Sequence, residues 1–257
     1  MRHTLEYKNG NTLSYADYGD RNGPPILVQH GLTASISEYH WFDRLIEAGH
    51  RLICPARPGY GQSSPYQMAN MAEWGEITSV LVDALDLAQF DVLGTSSGAP
   101  YSYAIGYKIP NKARNIYIFS GTPALYDDQV LAFWPYPVQK NASIAEMTRV
   151  AKEVFFPNVT EKDLLRDEIK DSMMNECFGI AQDLRLRCMA WGFTLPEVTQ
   201  AVYMEHSQTD QEVPFIAAEI TAKMIPNCQL EVREGEHFSK DALDRFISNT
   251  MLRQQAS

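Results

Sequence analysis

The chain has 257 residues, of which 45% are hydrophobic and 21% charged, and its formal net charge is −10. A chain of this size and composition can bury a core without a disulfide or metal staple, which excludes an intrinsically disordered protein. The acidic balance excludes non-specific nucleic-acid binding and anchoring on an anionic membrane, because both need a basic surface. In chain order, residues 4–7 and 12–18 flank Asn9-Gly10 and predict a β-hairpin. A Gly/Pro-rich connection precedes a short buried strand at 26–28, then a helical stretch over 37–47 and a strand at 51–54. The run 57–65 is dense in turn formers. Residues 71–87 have helical spacing, with Trp74, Ile77, Leu81, Leu85 and Ala88 on one face. Strands at 90–93 and 116–119 enclose a helix at 100–107. Later strands at 202–204 and 230–232 enclose a helix at 215–224, and a last helix covers 241–252. This alternation predicts a parallel sheet with helices on both faces. It breaks over 122–196, an insertion of about 75 residues with aromatic and helical segments but no strand, far longer than an ordinary connection. Insertions of this kind form lids over a site.

The four cysteines, Cys54, Cys177, Cys188 and Cys228, have neither C-x-x-C nor zinc-ligand spacing. All four are expected reduced, with Cys54 a small buried thiol. The N-terminal residues lack an apolar signal-peptide core, and no run approaches the ~20 apolar residues of a membrane span. A cytoplasmic protein is expected.

The sharpest chemical feature is Gly94-Thr95-Ser96-Ser97-Gly98, lying between a strand and a helix. Small residues on either side of a serine allow a tight, strained turn that exposes its hydroxyl at the sheet edge. The following helix offers N–H groups to developing negative charge. A serine hydroxyl needs a base. His237 follows the strand at 230–232, and His206 also follows a strand, whereas His3, His40 and His50 fall in segments suited to surface or packing. The base needs an orienting carboxylate. Asp210 lies in the polar loop 206–214, with Glu205 and Glu212 as competitors and a helix-capping role as its bland alternative. Acyl transfer also needs two N–H groups aimed at an oxyanion. Ser97 and Leu32 are the candidates, the latter in a loop opened by His30 and Gly31, with His30 supporting the loop.

The chain resembles the α/β-hydrolase superfamily. Val28-Gln29-His30-Gly31, the R-P-G-x-G-x-S stretch from Arg57 to Ser63, the Ser96 motif, Asp210-Gln211-Glu212-Val213-Pro214 and Gly235-Glu236-His237-Phe238 carry the resemblance, in the family's order. It implies an eight-stranded, mostly parallel sheet flanked by helices, with a helical cap inserted after the sixth strand. The core would be 1–121 and 197–257, and the cap 122–196. It also implies the catalytic residues Ser96, Asp210 and His237, with Leu32 and Ser97 at the oxyanion. Two departures stand out: Glu236 intervenes between Gly235 and His237, and the loop after Gly31 lacks the further glycines common in lipases. Serine at 96 argues against dehalogenases and epoxide hydrolases, whose pattern needs aspartate there.

The expected activity is hydrolysis of a small carboxylic ester through an acyl-enzyme, with a small-molecule substrate and no metal or organic cofactor. C–C bond hydrolases, proline-type aminopeptidases and cofactor-free haloperoxidases share the topology, and a non-catalytic small-molecule-binding protein is the rival of another class. Phe133, Trp134, Tyr136, Phe155, Phe156, Trp191 and Phe193 in the insertion either pack it down or line an apolar acyl pocket.

Overall fold

The computed structural model describes residues 2–255. Asn9 and Gly10 take positive φ angles of 58° and 77°. That geometry matches the twist of a two-strand turn, and it joins β1 (Arg2–Tyr7) to β2 (Asn11–Gly19). β3 (Pro25–Gln29) is followed by a 3₁₀ turn at Tyr39–Phe42, by α1 (Asp43–Glu47) and by β4 (Arg51–Pro55). Next come α2 (Ala72–Ala84), β5 (Phe90–Thr95), α3 (Ala99–Lys108) and β6 (Ala113–Phe119). The segment between β6 and the next strand holds α4 (Asp128–Leu131), α5 (Ile144–Val150) and α6 (Asp167–Leu186), and no strand among the described residues. β7 (Ala201–Ser207), α7 (Phe215–Lys223), β8 (Cys228–Arg233), α8 (Lys240–Phe246) and α9 (Leu252–Gln255) complete the chain.

The eight strands form one sheet in the order β1-β2-β4-β3-β5-β6-β7-β8. β2 runs antiparallel to β1 and β4, and all other pairs are parallel. The central strands are buried on both faces, which explains their continuous apolar runs. Alternate residues serve opposite layers. Leu27, Val92, Ile116 and Ile118 pack with Trp74 and Ile77 of α2 and Tyr103 of α3. Ile26, Val28, Leu93 and Phe119 pack with Leu45 of α1 and Phe246 of α8. No helix among the described residues is long and apolar enough to cross a membrane. All four cysteines are free, and Cys54 is buried.

Several boundaries differ from the sequence expectation. The stretch 37–47 is α-helical only from Asp43. Upstream, Ser35 Oγ accepts the Ser37 N–H and Glu38 accepts the Ser35 N–H, so side chains compete for the backbone groups a helix would use. α2 ends at Ala84 and Asp86 takes φ +50°, which leaves Ala88 outside the helix. The strand at 202–204 extends to Ser207 because it is paired on both sides. Glu205 and His206 therefore belong to β7 and not to the loop.

Register sets the position of the site. Gln29 of β3 lies beside Gly94 of β5, Thr95 beside Phe119 of β6, and Phe119 beside Glu205 of β7. Ser207 lies beside Arg233 of β8. The loops that carry His30, Ser96, Asp210 and His237 therefore all leave the same edge of the sheet.

Candidate active site

Ser96 follows β5 directly and has φ +49°, a strained conformation for a residue with a side chain. The turn is tight. A Cβ on Gly94 would lie 2.3 Å from Ser102 Oγ, and one on Gly98 would lie 2.1 Å from the Gln29 carbonyl oxygen. Neither position can carry a side chain without moving its neighbours.

Ser96 Oγ lies 3.0 Å from His237 Nε2, and His237 Nδ1 lies 2.7 Å from Asp210 Oδ2. An ionised carboxylate only accepts, so Nδ1 carries the proton and Nε2 is free to accept from the serine. The two loops beyond β7 and β8 are tied together below this line. Ser207 Oγ donates to the Gly235 carbonyl at 2.6 Å, and the Gly235 N–H donates to Thr209 Oγ1 at 3.0 Å. Arg233 adds a clamp: its guanidinium donates to the carbonyls of Glu236 and His237, each at 2.7 Å. Glu236 itself is exposed.

Asp210 is surrounded by donors. Oδ1 accepts the N–H groups of Glu212 and Val213 at 2.8 and 2.9 Å. Oδ2 accepts from His237 and lies 3.2 Å from Nε2 of His206, which also donates to the Val213 carbonyl at 3.0 Å. Burial pushes the Asp210 pKa up, but the hydrogen bonds from His206, His237 and Val213 N–H outweigh it and hold the carboxyl well below its ordinary range. Asp210 does not cap α7, whose N-terminal boundary residue is Pro214. The competitors sit elsewhere. Glu212 is exposed, and Glu205 faces Arg233 at 3.2 Å. Burial raises the Glu205 pKa to about 7 against the pull of Arg233. His206 is fully buried in β7, and its Nδ1 has no partner among the described residues.

His30 is occupied at both ring nitrogens. Nδ1 donates to the Gly31 carbonyl at 2.8 Å and Nε2 accepts the Arg57 N–H at 3.3 Å. Burial first, then Arg57, drives its pKa well below the ordinary histidine value, so the ring is neutral. The Arg57 guanidinium grips the same loop, donating to the His30 and Gly31 carbonyls at 2.6 and 2.8 Å. A trans peptide is planar, so fixing the Gly31 carbonyl toward Arg57 turns the Leu32 N–H the opposite way.

Arg57 is itself 1% exposed and paired with Asp183 of α6 at 2.6 Å. Tyr60 and Tyr101 donate to the same carboxylate at 2.9 and 2.5 Å. Burial opposes the Arg57 charge, and Asp183 restores it. Sequence reasoning named Arg57 only within a motif and missed Asp183, which lies 126 positions away. The available signal was a carboxylate set among the apolar residues Ile180, Ala181 and Leu184.

A cavity of about 970 Å³ opens above the serine, and Leu32, Ser96, Ser97 and His237 line it. Of the aromatic residues in the insertion, Trp134, Tyr136 and Phe155 line the cavity. Trp191 and Phe193 instead pack against Tyr103 and Tyr107 of α3, Phe156 is buried in the second core layer, and Phe133 is exposed. Among the described residues no group of three or more His, Cys, Asp or Glu side chains is arranged to hold a metal ion.

Residues 24–159 match a family model described as alpha/beta hydrolase fold. The chain is 32% identical over 108 residues to an uncharacterized hydrolase, YcgS, of Bacillus subtilis, covering 42% of this chain and 37% of that one. The chain thus spans little more than a third of the length of that relative. It is 24% identical over 277 residues to the non-heme chloroperoxidase CPO-A1 of Kitasatospora aureofaciens, covering 92% and 96% of the two chains. In fold it is similar to an esterase, EaEST, from Exiguobacterium antarcticum, with a TM-score of 0.76 at 20% identity over 100% of both chains.

Proposed function

Since the chain belongs to the α/β-hydrolase family, we propose that it is a serine hydrolase that cleaves a carboxylic ester of a small substrate. The observation that carries this reading is the continuous line from Ser96 Oγ through the His237 ring to Asp210, with contacts of 3.0 and 2.7 Å, at the floor of the cavity. In this mechanism Ser96 Oγ attacks the ester carbonyl carbon while its proton passes to His237 Nε2. Asp210 holds the ring in the right tautomer and stabilises the imidazolium. The carbonyl oxygen becomes an oxyanion that accepts the N–H groups of Leu32 and Ser97, with the Leu32 N–H oriented by His30, Gly31 and Arg57. The intermediate collapses, His237 returns the proton to the departing alcohol, and an acyl-enzyme remains. Water, deprotonated by His237, then releases the acid. Residues 122–196 act as the cap, with Trp134, Tyr136 and Phe155 giving the pocket an apolar wall suited to small or aromatic acyl groups.

A fluorophosphonate probe tests the reading. The native chain is expected to be labelled covalently and Ser96→Ala to escape labelling. An unlabelled native chain, or a labelled Ser96→Ala variant, overturns the assignment. Faster turnover of 4-nitrophenyl palmitate than of 4-nitrophenyl acetate overturns the preference for small acyl groups.

A further inference from the structure

Two cations outside the histidines line the cavity, Arg166 and Arg187. Arg166 is paired with Glu168. Arg187 has no carboxylate within ion-pair distance among the described residues, and its Nε is buried with no hydrogen-bond acceptor. Its guanidinium lies 5.4 Å from the ring centroid of Trp134, a second cavity-lining residue. The Trp134 Nε1–H is likewise buried with no acceptor. Tyr136 packs edge-on against the same indole at 5.4 Å. One wall of the cavity thus carries a guanidinium with no carboxylate partner among the described residues, set beside an indole.

A charge left without a counter-ion in a half-buried wall is costly, and an anionic ligand would offset that cost. A guanidinium set over an indole is steadied by cation–π attraction and can meet a carboxylate through its N–H groups. The cavity's own carboxylates are committed elsewhere or face solvent. Glu168 pairs with Arg166, Glu38 accepts the Ser35 N–H, and Glu212 is exposed.

We infer that Arg187 and Trp134 form a subsite for a carboxylate borne by the substrate. The substrate class is then a monoester of a short dicarboxylic acid, its ester carbonyl at Ser96 and its free carboxylate at Arg187. A single guanidinium matches a monoanion better than a phosphate dianion. The subsite deepens the proposed function and rests on it, since the cavity is the same.

The test separates binding from turnover. Monomethyl esters of dicarboxylic acids from succinate to suberate are titrated calorimetrically into Ser96→Ala, alongside methyl alkanoates of matched length and methyl phosphate. At least one half-ester is expected to bind more tightly than its neutral counterpart by about 10- to 100-fold, the worth of a charge-assisted hydrogen bond. That advantage is expected to be lost in Ser96→Ala/Arg187→Gln, retained in part with Arg187→Lys, and reduced with Trp134→Phe. Equal binding of charged and neutral esters in Ser96→Ala overturns the subsite, as does an advantage that survives Arg187→Gln. Tighter binding of methyl phosphate overturns the carboxylate assignment. Turnover is read separately, with 4-nitrophenyl half-esters and the native chain. Half-esters that bind through Arg187 but are never hydrolysed refute the hydrolase reading and leave the subsite standing.

Discussion

Asp210→Asn replaces one carboxylate oxygen with an amide NH₂ where every partner is a donor. His237 Nδ1 and His206 Nε2 lie 2.7 and 3.2 Å from one oxygen, and the N–H groups of Glu212 and Val213 lie 2.8 and 2.9 Å from the other. An NH₂ turned toward the backbone pair meets two protons that cannot move. Turned toward the imidazoles, it meets two protons that can shift to the opposite ring nitrogens. The second arrangement is cheaper, and the His237 ring changes tautomer. His206 either keeps its proton on Nε2 for the Val213 carbonyl and faces the new amide unpaired, or gives that bond up; either way the variant loses a hydrogen bond, at a cost of about 1–3 kcal/mol in stability. His237 carries its proton on Nε2, facing Ser96, and cannot accept the serine proton. The wrong tautomer is expected to lower kcat/KM about 10³- to 10⁴-fold, roughly 4–5.5 kcal/mol of transition-state stabilisation. Initial rates on 4-nitrophenyl acetate near pH 7.5 and urea unfolding of both proteins measure the two effects. A folded variant within about tenfold of native activity would remove Asp210 from the relay.

Asp183→Asn strips the carboxylate from Arg57, which is 1% exposed. Breaking this pair is expected to cost about 3–5 kcal/mol in urea unfolding, and a loss under about 1 kcal/mol would mean the pair is not held as described. Glu205 has its pKa raised from 4.5 to about 7, chiefly by burial. Between those values the folded state keeps a proton that the unfolded state has released, so native stability falls with rising pH by up to about 3 kcal/mol. Glu205→Gln lacks this titration, so its stability profile is expected to lose this downward component relative to the native chain between about pH 5 and 8. Parallel pH profiles for the two proteins would refute it.

What sequence made legible follows local physics. All eight strands announce themselves as short apolar or alternating runs, because burial on one or both faces is written into neighbouring residues. The turn at Ser96 is legible for a similar reason, since Gly94 and Gly98 leave room for adjacent chain within a few positions. The choice among Glu205, Asp210 and Glu212 was not local. It depends on how far β7 extends, and that is set by pairing with Phe119 on one side and Val232 and Arg233 on the other. Once Glu205 and His206 are drawn into the strand, the first loop carboxylate beside the His237 loop is Asp210. The aromatic residues of the insertion divide on the same principle. Trp191 and Phe193 have the composition of pocket residues, but they face α3, and only tertiary placement separates them from Trp134 and Tyr136.

The Arg57–Asp183 pair joins the insertion to the chemistry in a way that no stability argument explains. Apolar residues of similar volume would pack as well or better in so buried a place. What they could not do is grip the His30 and Gly31 carbonyls, at 2.6 and 2.8 Å, while anchored to α6. The guanidinium needs a counter-charge to remain buried, and the counter-charge is supplied by the insertion, with Tyr60 and Tyr101 filling its remaining acceptor sites. Arg2 makes a parallel link, reaching Asp171 of α6 at 2.7 Å and both Ser35 and Ser37 beyond the Leu32 turn. The loop that holds Leu32 is therefore tied to α6 on both sides of the break at 174–177, where Asn175, Glu176 and Cys177 take positive φ. In the proposed mechanism, a displacement of α6 would shift the loop that carries Leu32, so the insertion would act on the oxyanion N–H as well as on the shape of the cavity.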